Sequence, residues 1–260
     1  MLYSFRMKYL PAVILLAVPF LYAQDEPPAP PAPRPVGVKI TRPAVVGIAG
    51  TPPVGGTLVT YGYSWEEPAT GSALHGLTSF YEQTVQKHIT LFVSTTEPLV
   101  RAGNLAIGDT SPGFKIRSGE ETRWRPVMAV FYSVKVPVAT TGFGTGLYDH
   151  KVTLAADKGI GRTRWTGNFS TCWAGQKNGT YLRQYQPSLS ALTRWHRRGG
   201  SILQAYWTTA GKHYGGFVAA PFIQVNGAFN VFAGGMRNVG PATTRYGVIA
   251  GFNYMHRPRR

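Results

Sequence analysis

The spacing of the connections between alternating segments constrains this fold most. From about residue 56 onward, apolar and polar residues alternate repeatedly, which is typical of β-strands with two different faces. The segment from Trp124 to Pro137 is the clearest. One of its faces carries Met128, Val130, Tyr132, Val134 and Val136, and the other carries Ala129, Ser133 and Lys135, with Phe131 breaking the pattern.

The alternation predicts twelve strands. Their cores cover 56–65, 74–86, 88–96, 110–118, 124–137, 147–157, 162–173, 185–196, 201–210, 214–225, 228–237 and 244–255. The connections between them alternate in length. The long ones lie near 66–73, 97–109, 138–146, 174–184 and 238–243, and the short ones lie near 87, 119–122, 158–161, 197–200 and 226–227. Only the connection near 211–213 is short where a long one is expected.

Short turns at one end and longer loops at the other are typical of antiparallel barrels that span a bacterial outer membrane. The fold class predicted here is therefore all-β, an antiparallel transmembrane β-barrel of about 12 strands. A soluble β-sandwich would also alternate, but its exposed face is normally rich in charge. Only 15% of this chain is charged, against about 25% in a typical soluble domain. Trp and Tyr also cluster near strand ends, as in the aromatic girdles of membrane barrels.

The N-terminus has the pattern of a secretory signal peptide. Arg6 and Lys8 precede an apolar run from Tyr9 to Leu21, and cleavage after Ala23 is consistent with the residues there. A membrane anchor is the alternative, but a run of about 13 residues is too short to span roughly 30 Å as a helix. Residues 1–23 are therefore predicted to be removed during export.

The mature chain is predicted to have two parts. Residues 24–55 form a periplasmic lead-in whose run from Pro27 to Pro35 should be extended, because proline fixes φ and cannot donate a hydrogen bond. Residues 56–260 form the barrel. Past Leu21 no stretch of 18 apolar residues occurs, so a helical membrane protein is excluded.

The chain is strongly basic, with a formal net charge of +16. Such a balance suits nucleic acid, an anionic membrane surface or an anionic solute. The export signal argues against nucleic acid. The expected partners are outer-membrane lipid and lipopolysaccharide, the barrel-assembly machinery and small solutes.

Two stretches resemble a known family. The residues GDTSPGFK, Gly108 to Lys115, are followed by PVMAVFYSVKVPVATTGFGTG, Pro126 to Gly146. They resemble the putative outer-membrane transporters of the meta-pathway of phenol degradation family, and Leu147 to Trp173 resembles its next hairpin. The resemblance implies a barrel that passes small, including aromatic, molecules. The tail Arg257-Pro258-Arg259-Arg260 departs from it, since a terminal aromatic is expected there.

Charged residues on one strand face point to the lumen. Arg or Lys on the lipid face costs roughly 2–4 kcal/mol at the bilayer midplane, which favours placing these side chains inside. The predicted lumen-lining residues are Lys115, Arg117, Lys135, Lys151, Arg164, Arg194, Glu82 and Asp157. They form either a cationic path for anionic solutes or a packed ionic network, such as Asp157 with Lys151 or Arg164, that fills a narrow lumen.

The sequence predicts no enzyme. The six histidines, His75, His88, His150, His196, His213 and His256, lie in no nucleophile elbow and no metal-ligand spacing. We therefore expect no catalytic residue, no metal and no cofactor, with a barrel hydrolase as the least favoured alternative. The single cysteine, Cys172, is interpreted as a small packing residue.

Overall fold

A closed antiparallel sheet forms the body of the protein. The computed structural model describes residues 49–68, 74–96, 100–101, 104–105, 108–139, 146–176, 178–209, 214–239 and 244–258. The predicted signal peptide and most of the predicted lead-in lie outside the described residues. None of the described residues forms a helix long and apolar enough to cross a membrane.

Twelve long strands build the sheet, and two very short ones lie in a connection. In chain order they are β1 Thr57–Pro68, β2 Leu74–Gln86, β3 Ile89–Thr96, β4 Val100–Arg101, β5 Asn104–Leu105, β6 Thr110–Arg117, β7 Val127–Lys135, β8 Asp149–Ile160, β9 Thr163–Gly175, β10 Tyr181–His196, β11 Gly199–Thr208, β12 Tyr214–Gln224, β13 Phe229–Val239 and β14 Thr244–His256. The predicted twelve-stranded fold class is confirmed.

Pairing of the first strand with the last closes the barrel. Each long strand pairs with its sequence neighbour, with β3 pairing β6 across the short β4–β5 hairpin. Strand β1 pairs with β2 and also with β14, from Thr57 opposite His256 onward. Closure leaves no sheet edge, so the strand backbones satisfy one another without water.

The connections define two ends of the barrel. We call the end at 87–88, 118–126, 161–162, 197–198 and 225–228 the turn end, and the opposite one the loop end. Strand β1 starts and β14 finishes at the turn end. The connection after β11 runs from 209 to 213 and is longer than predicted, because β11 ends at Thr208. The connection 209–213 thus has the same length as the loop-end connections 69–73 and 176–180.

Two predicted strand starts differ from the structure by three or four residues: β10 begins at Tyr181 and not at 185, and β7 begins at Val127 and not at 124. Residues 124–126 belong to the turn and not to β7, because Thr122 and Arg125 hydrogen-bond to each other twice and bend the chain there. Trp124 is exposed as a result. The connection 118–126 is consequently longer than the predicted turn at 119–122.

Burial alternates along the strands and identifies the inner face. In β7 the side chains of Val127, Ala129 and Phe131 are buried, while Met128 and Val130 are exposed. Since one sheet forms the wall, the buried face is the interior of the barrel. Phe131, which seemed to break the pattern, lies inside, with its ring centroid 6.2 Å from that of Phe92.

The outer face is apolar between two sets of aromatic side chains. Those near the loop end include Tyr63, Trp65, Trp173, Tyr185, Trp207 and Tyr246, and those near the turn end include Tyr81, Trp165, Trp195 and Tyr254. On β9 the two tryptophans are eight positions apart. At about 3.3 Å per residue and a tilt of about 40° this spans about 20 Å, close to the roughly 25 Å apolar band of membrane barrels.

Two glycines are required by local geometry. A Cβ on Gly113 would lie 2.3 Å from the carbonyl oxygen of Tyr132 and 2.5 Å from the Phe92 ring, so β6 passes close to its neighbours only without a side chain. Gly161 has φ of 59° in the turn between β8 and β9, where L-residues are strained.

We predict that a charge in the middle of the outer face destabilises the barrel. Leu154 is exposed on the outer face of β8. Leu154→Arg should lower the free energy of unfolding by about 2–4 kcal/mol in lipid vesicles, because lipid cannot solvate the guanidinium. Urea unfolding followed by tryptophan fluorescence measures this. Leu154→Phe is the control and should change little; an equal loss in both variants would contradict the lipid-facing assignment.

Candidate functional site in the barrel lumen

All eight predicted lumen residues lie on the inner face. Glu82, Lys115 and Asp157 are fully buried. The other five, Arg117, Lys135, Lys151, Arg164 and Arg194, are half-buried. Each of the eight alternates with outward neighbours on its own strand. Their role in lining a solute path stays a prediction.

A buried ion pair forms the centre of the inner charge network. Lys115 Nζ lies 2.7 Å from Glu82 Oε1, and both side chains are 0% exposed. The same ammonium donates to the carbonyl oxygen of Gly50 at 2.8 Å and lies 5.2 Å from the Phe131 ring centroid. Removing two charges from water costs several kcal/mol per ion, so the pair is tolerated only with such close partners.

Residues 49–56 occupy the turn-end half of the lumen. The Gly50 N–H donates to Asp157 Oδ2 at 3.1 Å, and the Thr84 hydroxyl donates to the carbonyl oxygen of Pro52 at 3.0 Å. Ala49 is fully buried among inward-facing apolar residues of the wall. We call residues 49–56 the plug segment.

The plug segment changes the predicted pairing of Asp157. The sequence suggested Lys151 or Arg164 as its partner. Its Oδ2 instead accepts the backbone N–H of Gly50, and Arg164 pairs with Glu121. Sequence periodicity could not reveal this contact, because residues 49–56 precede the first strand and show no alternation. These last residues of the predicted lead-in pack inside the barrel wall.

A second ionic cluster lies near the loop end. Lys135 Nζ is 2.6 Å from Asp149 Oδ2 and 3.6 Å from Asp109 Oδ2. Asp149 also accepts the N–H of Gly175 at 2.9 Å, and Asp109 accepts that of Ala139 at 3.3 Å. Sequence reasoning missed both aspartates. The Gly-Asp pair at Gly108 and the Tyr-Asp step at Tyr148 were visible, but a residue at a strand end has no assigned face until the register is known.

A third cluster ties the turn end together. Glu121 accepts the Gly159 N–H at 2.8 Å and pairs with Arg164 at 3.1 Å and Lys158 at 3.7 Å. Partial burial raises the pKa of Glu121, but the Gly159 N–H and the charges of Arg164 and Lys158 outweigh this and lower it below its ordinary value. The nearby pair of Arg117 with Glu120, at 3.2 Å, is largely exposed on the glutamate side and contributes little.

The predicted cationic wall is largely neutralised. Of the six predicted cations, Lys115, Lys135, Arg117 and Arg164 each have a carboxylate within 4 Å. Among the described residues, no cluster of three or more His, Cys, Asp and Glu side chains could hold a metal ion. The lumen therefore combines paired charges with uncharged polar side chains.

Solved structures with the same fold are outer-membrane proteins. An outer membrane channel from Pseudomonas putida F1 aligns with a TM-score of 0.60 at 9% identity, covering 84% of this chain and all of that one. The KdgM porin in complex with disordered oligogalacturonate gives 0.57 at 5% identity, and the NanC porin gives 0.55 at 7%; each alignment covers 76% of this chain and 98% of the porin. The chain shares their barrel fold.

No family model and no curated protein match the sequence. The resemblance to the meta-pathway of phenol degradation family thus stays a prediction. At identities this low, the three structures show the fold alone.

We predict that Lys115→Met destabilises the barrel by about 3–5 kcal/mol, because Glu82 is left charged and buried without its partner. Urea unfolding in vesicles at pH 7 measures the loss. The double variant Lys115→Met/Glu82→Leu should recover most of the stability, since it removes both charges. A double variant as unstable as the single one would show that the pair is not what holds this region.

We predict that the turn-end ties weaken in acid. Because the folded-state pKa of Glu121 is depressed, its stabilising contribution is complete above the unfolded-state pKa and disappears as the pH falls through the folded-state value. The protection factor of the Gly159 amide against hydrogen exchange should therefore fall between about pH 5 and pH 3. Glu121→Gln should remove this pH dependence; an unchanged profile in the variant would assign it to another group.

Proposed function

We propose that the protein is an outer-membrane channel or transporter for small solutes, closed in this structure by its plug segment. The apolar outer face between two aromatic girdles supports a position in a bilayer. The shared fold of the three solved barrels supports the channel role, since each is described as an outer-membrane channel or porin. The bacterial outer membrane is accordingly the proposed location.

The manner in which the plug segment is held carries the proposal. It contacts the wall through hydrogen bonds such as those from Lys115 to Gly50 and from Gly50 to Asp157. Gly55 and Gly56 add backbone hydrogen bonds to Thr84 at the turn end. These contacts are hydrogen bonds, which water could replace, so we infer that the segment can leave the lumen while the wall stays intact.

The charge distribution supports a modest preference for anions. Six of the eight predicted lumen residues are cations, which favours anions. The preference is only modest, because four of these six cations have a carboxylate partner. An aromatic solute is the second class implied by the family resemblance. Phe80, Phe92 and Phe131 line the wall beside Ala49 and would suit such a solute once the plug segment leaves.

A non-conducting structural barrel is the alternative. Full burial of Lys115, Glu82 and Asp157 favours it, because these groups fill the turn-end half of the lumen. The hydrolase reading gains no support from the described histidine contacts. His75 and His150 hydrogen-bond to Tyr63 and Tyr132 on the outer face.

The partners follow from the proposed location. Outer-membrane lipid and lipopolysaccharide would contact the outer face, and the barrel-assembly machinery would insert the chain. Strand β14 ends at His256 and is followed by Arg257 and Pro258, so any assembly signal in this strand must be read upstream of the basic tail.

We predict that locking the plug segment abolishes conductance. The Thr84 hydroxyl lies 3.0 Å from the carbonyl oxygen of Pro52, so the lock to test is a disulfide between Pro52→Cys and Thr84→Cys in a Cys172→Ser background. In planar bilayers the oxidised form should be silent and the reduced form should conduct. The two single-cysteine variants are controls and should not respond to reductant.

Two outcomes would decide against the proposal. Silence of the wild type and of the reduced variant, with cross-linking verified by mass spectrometry, would leave the structural barrel as the better reading. Equal conductance of the oxidised and reduced forms would show that ions pass without displacement of the plug segment.

We predict a weak anion preference that depends on the inner cations. In a salt gradient, the reversal potential of the wild type should indicate a modest excess of anion over cation permeability. Lys135→Gln combined with Arg164→Gln should shift it toward cations, because Asp109, Asp149 and Glu121 lose their counter-charges. Arg183→Gln, on the outer face of β10, is the control. An unchanged reversal potential in the double variant would place the selectivity elsewhere.

A further inference from the structure

Two buried amides on neighbouring parts of the inner wall lack hydrogen-bond partners. Asn168 on β9 is 7% exposed and Gln204 on β11 is 3% exposed. Neither the nitrogen nor the oxygen of either amide has a partner among the described residues. A buried amide without a partner is unfavourable, so such groups in a native structure call for a physical explanation.

Strand β10 brings the two amides together. In the register, Asn168 is opposite Ser188, and Gln204 is opposite Ser190, two positions further along the same strand. All four side chains are on the inner face. The two amides are therefore separated by one strand, about 10 Å apart across the sheet, with two serine hydroxyls between them. We call these four residues the amide–serine patch.

The surroundings of the patch are polar on the β9 side. Thr166 and Ser170 flank Asn168 on the inner face of β9, and Ser170 hydrogen-bonds to Thr153 at 2.7 Å. The nearest carboxylate among the described residues is that of Asp157, opposite Thr166 on β8. No carboxylate, ammonium or guanidinium belongs to the patch itself.

The surroundings of the patch are apolar on the β12 side, where Gln204 is opposite Val218 and two positions from Ile202. Tyr206 is opposite Ser188 in the register, but its ring packs over Gly216 on β12 and its hydroxyl donates to Asn238 on β13, so the ring lies outside the patch.

A polar route joins the patch to the loop end. Strand β10 starts at the loop end with Tyr181, and its half-buried inward residues Gln184, Gln186 and Ser188 lead toward Ser190. The plug segment makes its observed hydrogen bonds to other parts of the wall, on β2, β6 and β8. The inner face of β10 is therefore the path that we assign to a solute entering from the loop end, and binding requires that the solute displace what now buries the two amides.

We propose that the amide–serine patch binds a neutral polyhydroxylated solute, such as a sugar. Each amide offers a donor and an acceptor side by side, which matches adjacent hydroxyl groups of a sugar ring. The serine hydroxyls between them donate and accept as needed. The absence of charge in the patch selects against acidic solutes, which would lose hydration without gaining a counter-ion.

The proposal deepens the proposed function, since it names a solute class for the same lumen. Its test nevertheless measures binding and not transport. The full-length chain is purified in lauryldimethylamine oxide, a detergent without a sugar headgroup. Saturation-transfer NMR titrations then use glucose, N-acetylglucosamine and glucuronate as probes.

Saturable binding of glucose and N-acetylglucosamine is expected, with glucuronate weaker. Asn168→Leu/Gln204→Leu should weaken sugar binding by about tenfold or more, because the hydrogen bonds to the sugar are lost. Asn230→Leu is the matched control: it removes an equally buried and unpartnered amide on β13, outside the patch, and should leave binding unchanged. Heat-modifiable electrophoretic mobility checks that each variant is folded. If the double variant does not fold, the single variant Asn168→Ser is used in its place.

Three results would overturn the proposal. The first is that neither neutral sugar binds saturably, as expected if only water occupies the patch. The second is equal sugar binding by the wild type and the patch variants, and the third is tighter binding of glucuronate than of glucose. If the barrel binds sugar but passes no current in planar bilayers, the proposed channel function is wrong and the proposed sugar site stands. If it passes current but binds no sugar, the proposed sugar site is wrong and the channel function stands.

Discussion

Closure of a single β-sheet is the constraint on which the rest of this structure depends. Strand β1 pairs with both β2 and β14, so the long strands form a cylinder without an edge. In a bilayer, unpaired backbone groups cost several kcal/mol each, and only closure removes them for strands. Closure also gives every strand one face toward the outside of the barrel and one toward the lumen. The separation of Leu154 from Asp157 on a single strand follows directly from it.

The charged side chains of the lumen are removed from bulk water, and their desolvation has to be compensated by close partners. The partners are charges of opposite sign: Lys115 pairs with Glu82 at the centre, Lys135 with two aspartates near the loop end, and Glu121 with Arg164 at the turn end. The plug segment contributes to this compensation, since Gly50 supplies a carbonyl to Lys115 and an N–H to Asp157. A segment that completes a charge network is held specifically and yet without a covalent bond. This combination suits a removable closure.

Other inner residues are buried without such completion. Neither amide atom of Asn168 or of Gln204 has a partner, whereas Glu82 and Asp157 beside the plug segment each have one carboxylate oxygen that accepts a hydrogen bond. The plug segment thus contacts inner residues on β2, β6 and β8, whereas the amide–serine patch lies on β9–β11, where the inner face also carries Arg164 and Arg194. This separation gives the two parts of the wall different proposed tasks, closure and solute recognition.

The sequence by itself determined the strand number, nearly all strand positions and the face of each predicted lumen residue, because side-chain direction alternates with a period of two in any strand. It erred at 124–126, where a local turn competes with an alternating pattern, and at 181–184, which it placed in a loop although they begin β10. Only the tertiary structure decided which charges meet. Lys115 and Glu82 are 33 positions apart, and Gly50 and Asp157 are 107 apart. Such partners depend on strand register, barrel closure and the path of the plug segment, none of which local periodicity encodes.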